Sequence, residues 1–314
     1  MRFSVCIPTY NRAELLPRAI ESVLSQSHKD LELIVLDNAS NDKTQELLSE
    51  VTDPRVRVFT NNETVTMYAN HNLCVARAKE EWIVFLHSDD ELRPNALEII
   101  SQEISDNNPS AVYPRRENHR TCLHDDAIIY SGSSDIPSVL RWPSASPSGA
   151  AIQKKLFEKV KFCENGLASD LLFMADLLEG ENKISISKSD YIKMGVGEYQ
   201  ETHIWQSSRK FISEVALVVE HILSKEHTFS SLLKEVKFWT NNEVAFLLMA
   251  LSHADRKDLI KKIEDSFSCT SQIKNAPNYR HVRVYKALGI HGLVIAYALN
   301  KRTAKFMRGL ISKA

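Results

Sequence analysis

The stretch Trp82-Ile83-Val84-Phe85-Leu86-His87-Ser88-Asp89-Asp90-Glu91-Leu92 passes from a short apolar run into three acidic residues. The run is too short for a typical helix and is rich in β-branched and aromatic types, which predicts a buried β-strand. In an open α/β sheet, ligands bind outside the carboxyl ends of the strands. The paired carboxylates of Asp89 and Asp90 would lie at such a site, and hard oxygen ligands of this kind suit Mg²⁺ or Mn²⁺.

Three further strand-like segments precede this stretch, at residues 2–7, 31–36 and 56–59. Apolar residues at helical spacing separate them, with helices expected near 15–24, 42–51 and 66–79 and with Asn11 as the cap of the first. This alternation predicts an α/β fold with a doubly wound, mostly parallel sheet. The polar residues expected at the carboxyl ends of its strands are Thr9, Tyr10, Asn11, Asp37, Asn38, Asp89 and Asp90.

The second half of the chain changes character along its length. A helix is expected from Pro94 to about Asn107, then strands at 111–113 and 127–130, and helices at 154–160 and 169–178. Between them, residues 131–149 are rich in Ser, Pro and Gly, which predicts a mobile loop near the site. Beyond about residue 205 only helical patterns occur, so we expect a catalytic domain at 1–205 and a C-terminal helical extension at 206–314.

Composition and charge exclude several classes of protein. With 43% hydrophobic and 25% charged residues, the chain is an ordinary globular protein rather than a disordered or fibrous one. The near balance of 39 basic and 40 acidic side chains argues against nucleic-acid binding. Five scattered cysteines suggest neither a zinc site nor a disulfide framework, and no signal peptide or membrane span is recognised. A cytoplasmic location is expected.

Three blocks in this order resemble the signature segments of family 2 glycosyltransferases with the GT-A fold. The blocks are residues 5–12 (Val-Cys-Ile-Pro-Thr-Tyr-Asn-Arg), 33–42 (Leu-Ile-Val-Leu-Asp-Asn-Ala-Ser-Asn-Asp) and 82–90. Together they are far more specific than any one alone. The resemblance implies an inverting transfer of a sugar from a nucleoside-diphosphate donor, usually with a divalent cation.

The resemblance also assigns roles to individual positions. It places Pro8, Thr9, Tyr10 and Asn11 beside the base and ribose, and it makes Asp37, followed by Asn38, the acceptor of a hydrogen bond from the base. Ser88, Asp89 and Asp90 match the end of the acidic motif, where a metal ligand and a ribose or diphosphate contact are expected. His87 departs from the pattern because it occupies the first acidic position of the common form.

A catalytic base is the remaining role that the resemblance implies. Asp170, which opens a predicted helix in Ser169-Asp170-Leu171-Leu172-Phe173, matches the family's late acidic residue. Glu164 and Asp176 are the competing acids nearby. Surface or hydrogen-bonded core positions, with no role in the chemistry, are predicted for His28, His71, His119, His124 and His291.

Each of these assignments has a purely structural alternative. Residues 89–91 are also compatible with a solvated turn and a helix start, since carboxylates favour helix amino ends. Asp37 and Asp170 are possible helix caps, and Tyr10 is as readily a packing residue as a base-stacking one.

The basic tail and the activity itself also leave alternatives open. No acidic residue follows Asp265, whereas nine lysines and arginines do, so the last helix would contact an anionic membrane surface or pack on protein, including a second subunit. The expected activity is transfer from a UDP-sugar to a saccharide or lipid-linked oligosaccharide in surface polysaccharide synthesis. The alternatives are a nucleotidyltransferase, although Pro8-Thr9-Tyr10-Asn11 lacks the expected glycines, and a catalytically impaired GT-A-like binding protein.

Overall fold

A computed structural model describes residues 1–115, 128–131, 146–164, 169–178 and 182–195, with positions 258 and 261. The first half alternates strands and helices, and the second half adds short strands, a 3₁₀ helix and one longer helix. In chain order the elements are β1 (Phe3–Thr9), α1 (Leu16–Leu24), β2 (Leu31–Asp37), α2 (Thr44–Ser49), β3 (Val56–Thr60), α3 (Met67–Arg77), β4 (Trp82–Phe85), β5 (Glu91–Leu92), α4 (Ala96–Asn107), β6 (Ala111–Tyr113), β7 (Ile128–Ser131), β8 (Ala151–Gln153), the 3₁₀ helix (Lys154–Glu158), α5 (Ser169–Leu178), β9 (Lys183–Ile186) and β10 (Ile192–Lys193).

Eight of the strands form one sheet in the order β3-β2-β1-β4-β8-β6-β9-β7. The strands β3, β2, β1 and β4 are parallel, as are β6 and β9, whereas β8 pairs antiparallel with both β4 and β6. Strand β7 is antiparallel to β9 at the edge, and β5 and β10 form a separate antiparallel pair. The sheet is therefore mostly parallel, as predicted.

Both faces of the sheet are covered, which explains why its central strands are apolar runs rather than alternating patterns. On one face, Phe3, Val5 and Ile7 of β1 lie in a common buried core with residues of α1, α2 and α4. On the other face, Cys6 and Ile34 contact Cys74 of α3. Every residue of β1, β2 and β4 is buried as a result.

A group of rings, here called the aromatic cluster, packs on the α3 side of the sheet. Its centre is Phe162, whose ring lies 4.3 Å from Phe173 of α5, 5.6 Å from Phe85 of β4 and 5.7 Å from His71 of α3, centroid to centroid. Aromatic pairs at such distances stabilise beyond the area they bury. The full cluster consists of Tyr68, His71, Phe85, Phe157, Phe162 and Phe173.

Most predicted elements are present, and one local prediction is wrong. Asn11 does not cap α1, which begins after Leu15 without any side-chain cap. Instead Asn11 has a φ of 51°, its amide N–H donates to Oγ of Ser40 (2.8 Å), and its Oδ1 accepts from the amide of Asn41 (2.9 Å). Its short amide side chain tolerates this left-handed conformation, so Asn11 joins the loops that follow β1 and β2.

By packing, the chain divides into two compact units, residues 1–133 with 144–200 and residues 134–143 with 201–314. The large sheet belongs to the first unit. Apart from positions 258 and 261, the predicted helical extension and basic tail lie outside the described residues, so the boundary at residue 205 stays a prediction. Within the described ranges, no helix has both the length and the apolarity needed to cross a membrane.

Candidate active site

A crevice is expected where the sheet changes direction of winding, between β1 and β4. Pairing of β1 with β4 ends at Cys6 and Phe85, whereas pairing of β1 with β2 continues to Thr9 and Asp37. Pro8 lies beyond the last residue of β1 that pairs with β4. Its missing N–H therefore removes no hydrogen bond between these two strands. The carboxyl ends of β1 and β4 are thus released from each other at the edge where the predicted site residues lie.

The β1–β2 side of the crevice consists of Thr9 and Asp37, which are register partners. Asp37 is completely buried, and its carboxylate accepts hydrogen bonds from the backbone N–H and the hydroxyl of Ser40. Oγ1 of Thr9 is buried and has no hydrogen-bond partner among the described residues. A buried hydroxyl without a partner costs about 1–3 kcal/mol, so the hydrogen-bonding capacity of this edge of the sheet is incompletely satisfied.

Asn38 organises the loop that follows β3. Its Oδ1 accepts from Nδ2 of Asn61 and from the amide of Val65, both at 2.9 Å, and its own Nδ2 donates to the carbonyl of Val65 at 2.8 Å. Its acceptor oxygen is therefore occupied within the protein. By contrast, the side chain of Tyr10 is available at the surface, since the residue is 43% exposed.

The β4 side of the crevice is a cluster of three potential metal ligands. One ligand atom from each of His87, Asp89 and Asp90 lies within 4.8 Å of the other two. The amide of Asp90 donates to the carbonyl of His87 (3.0 Å), so a tight turn directly after β4 brings the three side chains together. Here this group is called the metal triad; its donor set of one imidazole nitrogen and two carboxylates fits Mn²⁺ and related divalent ions.

Asp90 is the buried member of the metal triad. The hydroxyl of Ser148 donates to its Oδ2, and the amide of Gly195 donates to its Oδ1 (2.8 Å). Burial raises the pKa of the Asp90 carboxyl above its ordinary value, as does the neighbouring Asp89, although His87 and the two hydrogen bonds act in the opposite direction. A nearby cation would relieve this unfavourable burial of negative charge.

Gly195 and Ser148 are site residues that the sequence did not reveal. A Cβ on Gly195 would lie 2.2 Å from the carbonyl oxygen of Asp89, so only glycine lets this segment approach the metal triad. Ser148 also accepts from the amide of His87 (3.0 Å) and thereby joins the two ends of the turn. The predicted Ser- and Pro-rich loop was the only signal for Ser148, and no signal pointed to Gly195.

His71 lies behind the metal triad and is the third residue that sequence reasoning missed. Its Nε2 is 3.3 Å from Nε2 of His87, and its Nδ1 is 2.8 Å from the carbonyl of Met67. Burial, with a contribution from His87, lowers the pKa of His71 to about 3. The prediction of a hydrogen-bonded core histidine holds for its burial and for the Met67 bond, but its contact with His87 was not foreseen.

The family model described as glycosyl transferase family 2 matches residues 4–163, about half of the chain. The chain belongs to glycosyl transferase family 2. The match covers β1 to β4, the metal triad and the central ring of the aromatic cluster.

Relatives within the family share segments of this chain. The GalNAc(5)-diNAcBac-PP-undecaprenol beta-1,3-glucosyltransferase of Campylobacter jejuni is 37% identical over 108 residues, 33% of this chain and 35% of the relative. The chondroitin synthase of Pasteurella multocida is 34% identical over 146 residues, 46% of this chain and 14% of the relative. The chain therefore matches about a third or less of the length of these curated relatives.

Two solved structures share the fold over most of the chain. TarS 1–349 of S. aureus in complex with UDP-GlcNAc has a TM-score of 0.66 at 19% identity, covering 96% of this chain and 92% of TarS. The mannosyltransferase PcManGT of Pyrobaculum calidifontis, in complex with GDP-Man and Mn²⁺, has a TM-score of 0.58 at 15% identity, covering 95% and 87%. These similarities confirm the GT-A fold class.

In this family 2 chain, a series of contacts between aromatic and imidazole rings connects α5 with the metal triad. Phe173 of α5 stacks on Phe162, Phe162 contacts His71, and His71 contacts His87. Asn72 of α3 fixes Phe162 by donating to its carbonyl (2.9 Å) and accepting from its amide (3.1 Å). Asp170 lies one turn before Phe173, in the first turn of α5, so the helix that carries it is packed against the triad's support.

Proposed function

We propose that this chain is an inverting glycosyltransferase that moves a sugar from a nucleoside-diphosphate donor to an acceptor hydroxyl. The donor that we propose is a UDP-sugar. The observation that carries the proposal is that, in a chain of family 2, the Thr9–Asp37 edge ends β1 and β2 while the metal triad follows β4, the strand that pairs with β1 on its other side. A nucleoside diphosphate has a base and ribose at one end and clustered negative charge at the other, and the crevice offers matching chemistry at both ends.

The base and ribose would lie at the ends of β1 and β2. A uracil N–H is a good donor to the Asp37 carboxylate, which retains lone pairs beyond its bonds to Ser40. Tyr10 is exposed enough to stack on the base, while Pro8, Thr9, Asn11 and Asn38 shape the loops around it. These roles follow the family resemblance, and the burial and bonding of each residue are compatible with them.

The diphosphate would lie against the turn formed by His87, Ser88, Asp89 and Asp90. The metal triad fits a divalent cation by its donor types and by the buried charge of Asp90. When bound, such an ion neutralises the charge that grows on the departing diphosphate. The chain's own part is to hold the Asp90 carboxylate in place, through Ser148 and Gly195, so that donor and acceptor meet in line.

Asp170 would act as the base. The acceptor hydroxyl attacks the anomeric carbon on the face opposite the diphosphate, its proton passes to the Asp170 carboxylate, and the bond from the anomeric carbon to the diphosphate breaks. Because one displacement occurs, the anomeric configuration inverts. The supporting observation is the position of Asp170 in the first turn of α5, whose ring contacts lead to the metal triad.

We infer that the acceptor is a saccharide or a lipid-linked oligosaccharide and that the enzyme works at the cytoplasmic side of a membrane. The support is the undecaprenol-linked substrate in the name of the Campylobacter jejuni relative and the polysaccharide product in that of chondroitin synthase. The nine basic residues after Asp265 would favour an anionic lipid surface.

Thermal unfolding with nucleotides tests the proposal. UDP, GDP, TDP and CTP are added separately, with and without Mn²⁺, and a specific ligand is expected to raise the melting temperature because it binds only the folded chain. Asp37→Asn should reduce the shift, whereas Asp106→Asn, an exposed acid on α4, should leave it unchanged. If none of the four nucleotides shifts the melting temperature, with or without Mn²⁺, the transferase assignment is wrong.

A further inference from the structure

The contact between His71 and His87 places two imidazole nitrogens 3.3 Å apart, Nε2 to Nε2. A hydrogen bond between two nitrogens needs one that carries a proton and one that offers a lone pair. The tautomer of His87, a member of the metal triad, depends on whether its Nε2 is the donor or the acceptor in this pair. The surroundings of His71 decide the question.

His71 can only be the acceptor in this pair. Its Nδ1 lies 2.8 Å from the carbonyl oxygen of Met67, and a carbonyl oxygen only accepts, so Nδ1 carries a proton. The residue is 2% exposed within the aromatic cluster, where a second proton would bury a charge. Its Nε2 therefore carries the lone pair, and Nε2 of His87 is the donor. In neutral His87 the remaining lone pair is on Nδ1.

We propose that His71 is a positioning residue that fixes the tautomer of His87, making Nδ1 of His87 the nitrogen donor to a divalent cation held with Asp89 and Asp90. The inference rests on the proposed function in so far as the metal triad holds a cation. It explains why a buried histidine occupies position 71, since partners that orient a metal-binding histidine typically contribute 10- to 100-fold in metal affinity. An acid at position 87 would need no such partner.

The ligand atoms of the metal triad also indicate which divalent cation it would prefer. An imidazole nitrogen suits Mn²⁺ and Co²⁺ better than Mg²⁺, which prefers oxygen ligands and retains its water. We therefore expect the triad to select Mn²⁺ over Mg²⁺, and His87→Asp to reduce that preference.

Mn²⁺ affinity, measured from the electron paramagnetic resonance signal of the free ion with and without UDP, tests the role of His71. His71→Phe keeps a buried ring but removes the acceptor nitrogen, and it is expected to weaken Mn²⁺ binding about tenfold. Phe157→Leu is the matched control: it alters the same aromatic cluster through Phe85, Phe162 and Phe173 and should leave the affinity within about twofold.

A double-mutant cycle separates positioning from simple structural support. In the His87→Asp background the ligand has no tautomer to fix, so adding His71→Phe is expected to change Mn²⁺ affinity by no more than about twofold. His71→Gln retains an acceptor near the position of Nε2 and is expected to keep most of the wild-type affinity. It therefore tests the same role even if His71→Phe folds poorly. Electron spin-echo modulation from a coordinated nitrogen should be present in the wild type and absent in His87→Asp.

Each outcome distinguishes the inference from the proposed function. Equal losses from His71→Phe in both backgrounds, or no nitrogen modulation in the wild type, would overturn the positioning role while leaving the transferase proposal in place. Binding of UDP without any Mn²⁺ binding would overturn the metal assignment, and the positioning role with it, while leaving the nucleotide assignment in place. Failure to bind either ligand would overturn both.

Discussion

Asp170 lies in the first turn of α5, where a carboxylate has two physically different uses. Its Oδ1 accepts from the amide of Leu171 at 2.9 Å, so it contributes to the start of the helix, and a carboxylate there also interacts favourably with the helix dipole. The proposed second use is as the base that takes the acceptor's proton. A neutral amide of the same shape would preserve most of the first role and none of the second.

Asp170→Asn is therefore expected to bind the nucleotide as the wild type does and to lose transfer by about 10²- to 10⁴-fold. Release of the nucleoside diphosphate, measured with a saccharide acceptor, reports the transfer, and the melting-temperature shift reports binding. Asp176→Asn, an acid two turns further along the same helix, is the control and should transfer normally. If Asp170→Asn keeps its turnover, or if Asp176→Asn loses it, Asp170 is not the base.

At the residue scale, the sequence predicted side chains at strand ends better than those that support them. Asp37 was predicted at a strand end because it follows an apolar run directly, and Asp89 and Asp90 because they follow one after His87 and Ser88. Asp90 is also held by Ser148, 58 positions away, and by Gly195, 105 positions away, and such pairs leave no local pattern. His71 was missed because a histidine on the buried face of a helix gives the same sequence pattern whether its partner is a backbone carbonyl or another histidine.

At the scale of elements, Glu32 shows how the parallel strands tolerate a buried charge. It projects from β2, and its carboxylate accepts from Oγ of Ser4 on β1 (2.6 Å), the amide of Lys79 (2.7 Å) and Nη1 of Arg57 on β3 (2.8 Å). Burial alone would raise the pKa of Glu32, but the bonds from Ser4, Lys79 and Arg57 outweigh it and hold that pKa below its ordinary value. The carboxylate thus joins three consecutive strands of the sheet and the end of α3.

Glu32→Gln is expected to destabilise the chain by about 2 kcal/mol at neutral pH, because it removes charge-assisted bonds at a buried position. Since the pKa is lower in the folded than in the unfolded chain, the contribution of Glu32 is complete above the ordinary value of 4.5 and is lost as the pH falls through the folded value. Urea unfolding at several pH values measures both effects, and the difference between variant and wild type should shrink in acid.

Asp53→Asn is the matched control for Glu32→Gln. Asp53 pairs with Arg55 at 2.8 Å, the same distance that joins Glu32 to Arg57, but its side chain is 28% exposed whereas that of Glu32 is 6% exposed. An exposed ion pair contributes about 0–1 kcal/mol, so this variant should change stability little. Equal effects of the two substitutions would show that burial does not determine the contribution of Glu32.

The elements differ in how far the sequence predicted them. The strands β1 to β4 and the helices between them are continuous patterns, and the structure places them within a few residues of the prediction. The short strands β5, β8, β9 and β10 were missed, because they have two to four residues each and exist through pairing with strands far away in the chain. Strand β8 accounts for the antiparallel part of an otherwise parallel sheet centre.

At the scale of the whole molecule, the two sides of the crevice belong to different strands, and a ligand that spans them couples the sites. A nucleoside diphosphate would contact the Thr9–Asp37 edge with its base and ribose and approach the metal triad with its phosphates. Linkage then requires that a cation which strengthens diphosphate binding is itself bound more tightly in the presence of the diphosphate. Each ligand, if bound only by the folded chain, would also stabilise the fold.

Mn²⁺ and UDP are therefore expected to stabilise the chain by more than the sum of their separate effects. UDP at 100 times its dissociation constant should add about 2.7 kcal/mol to the free energy of unfolding, and saturating Mn²⁺ should tighten UDP binding about 5- to 150-fold, the usual range for coupled sites. Uridine is the control ligand: it retains the base and ribose but lacks the diphosphate, so Mn²⁺ should leave its effect unchanged. Calorimetric titrations of each ligand, repeated at saturation with the other, measure the coupling from both directions. Simple additivity for UDP would mean that the metal triad does not face the diphosphate, and equal coupling for uridine would mean that the ion acts through the fold.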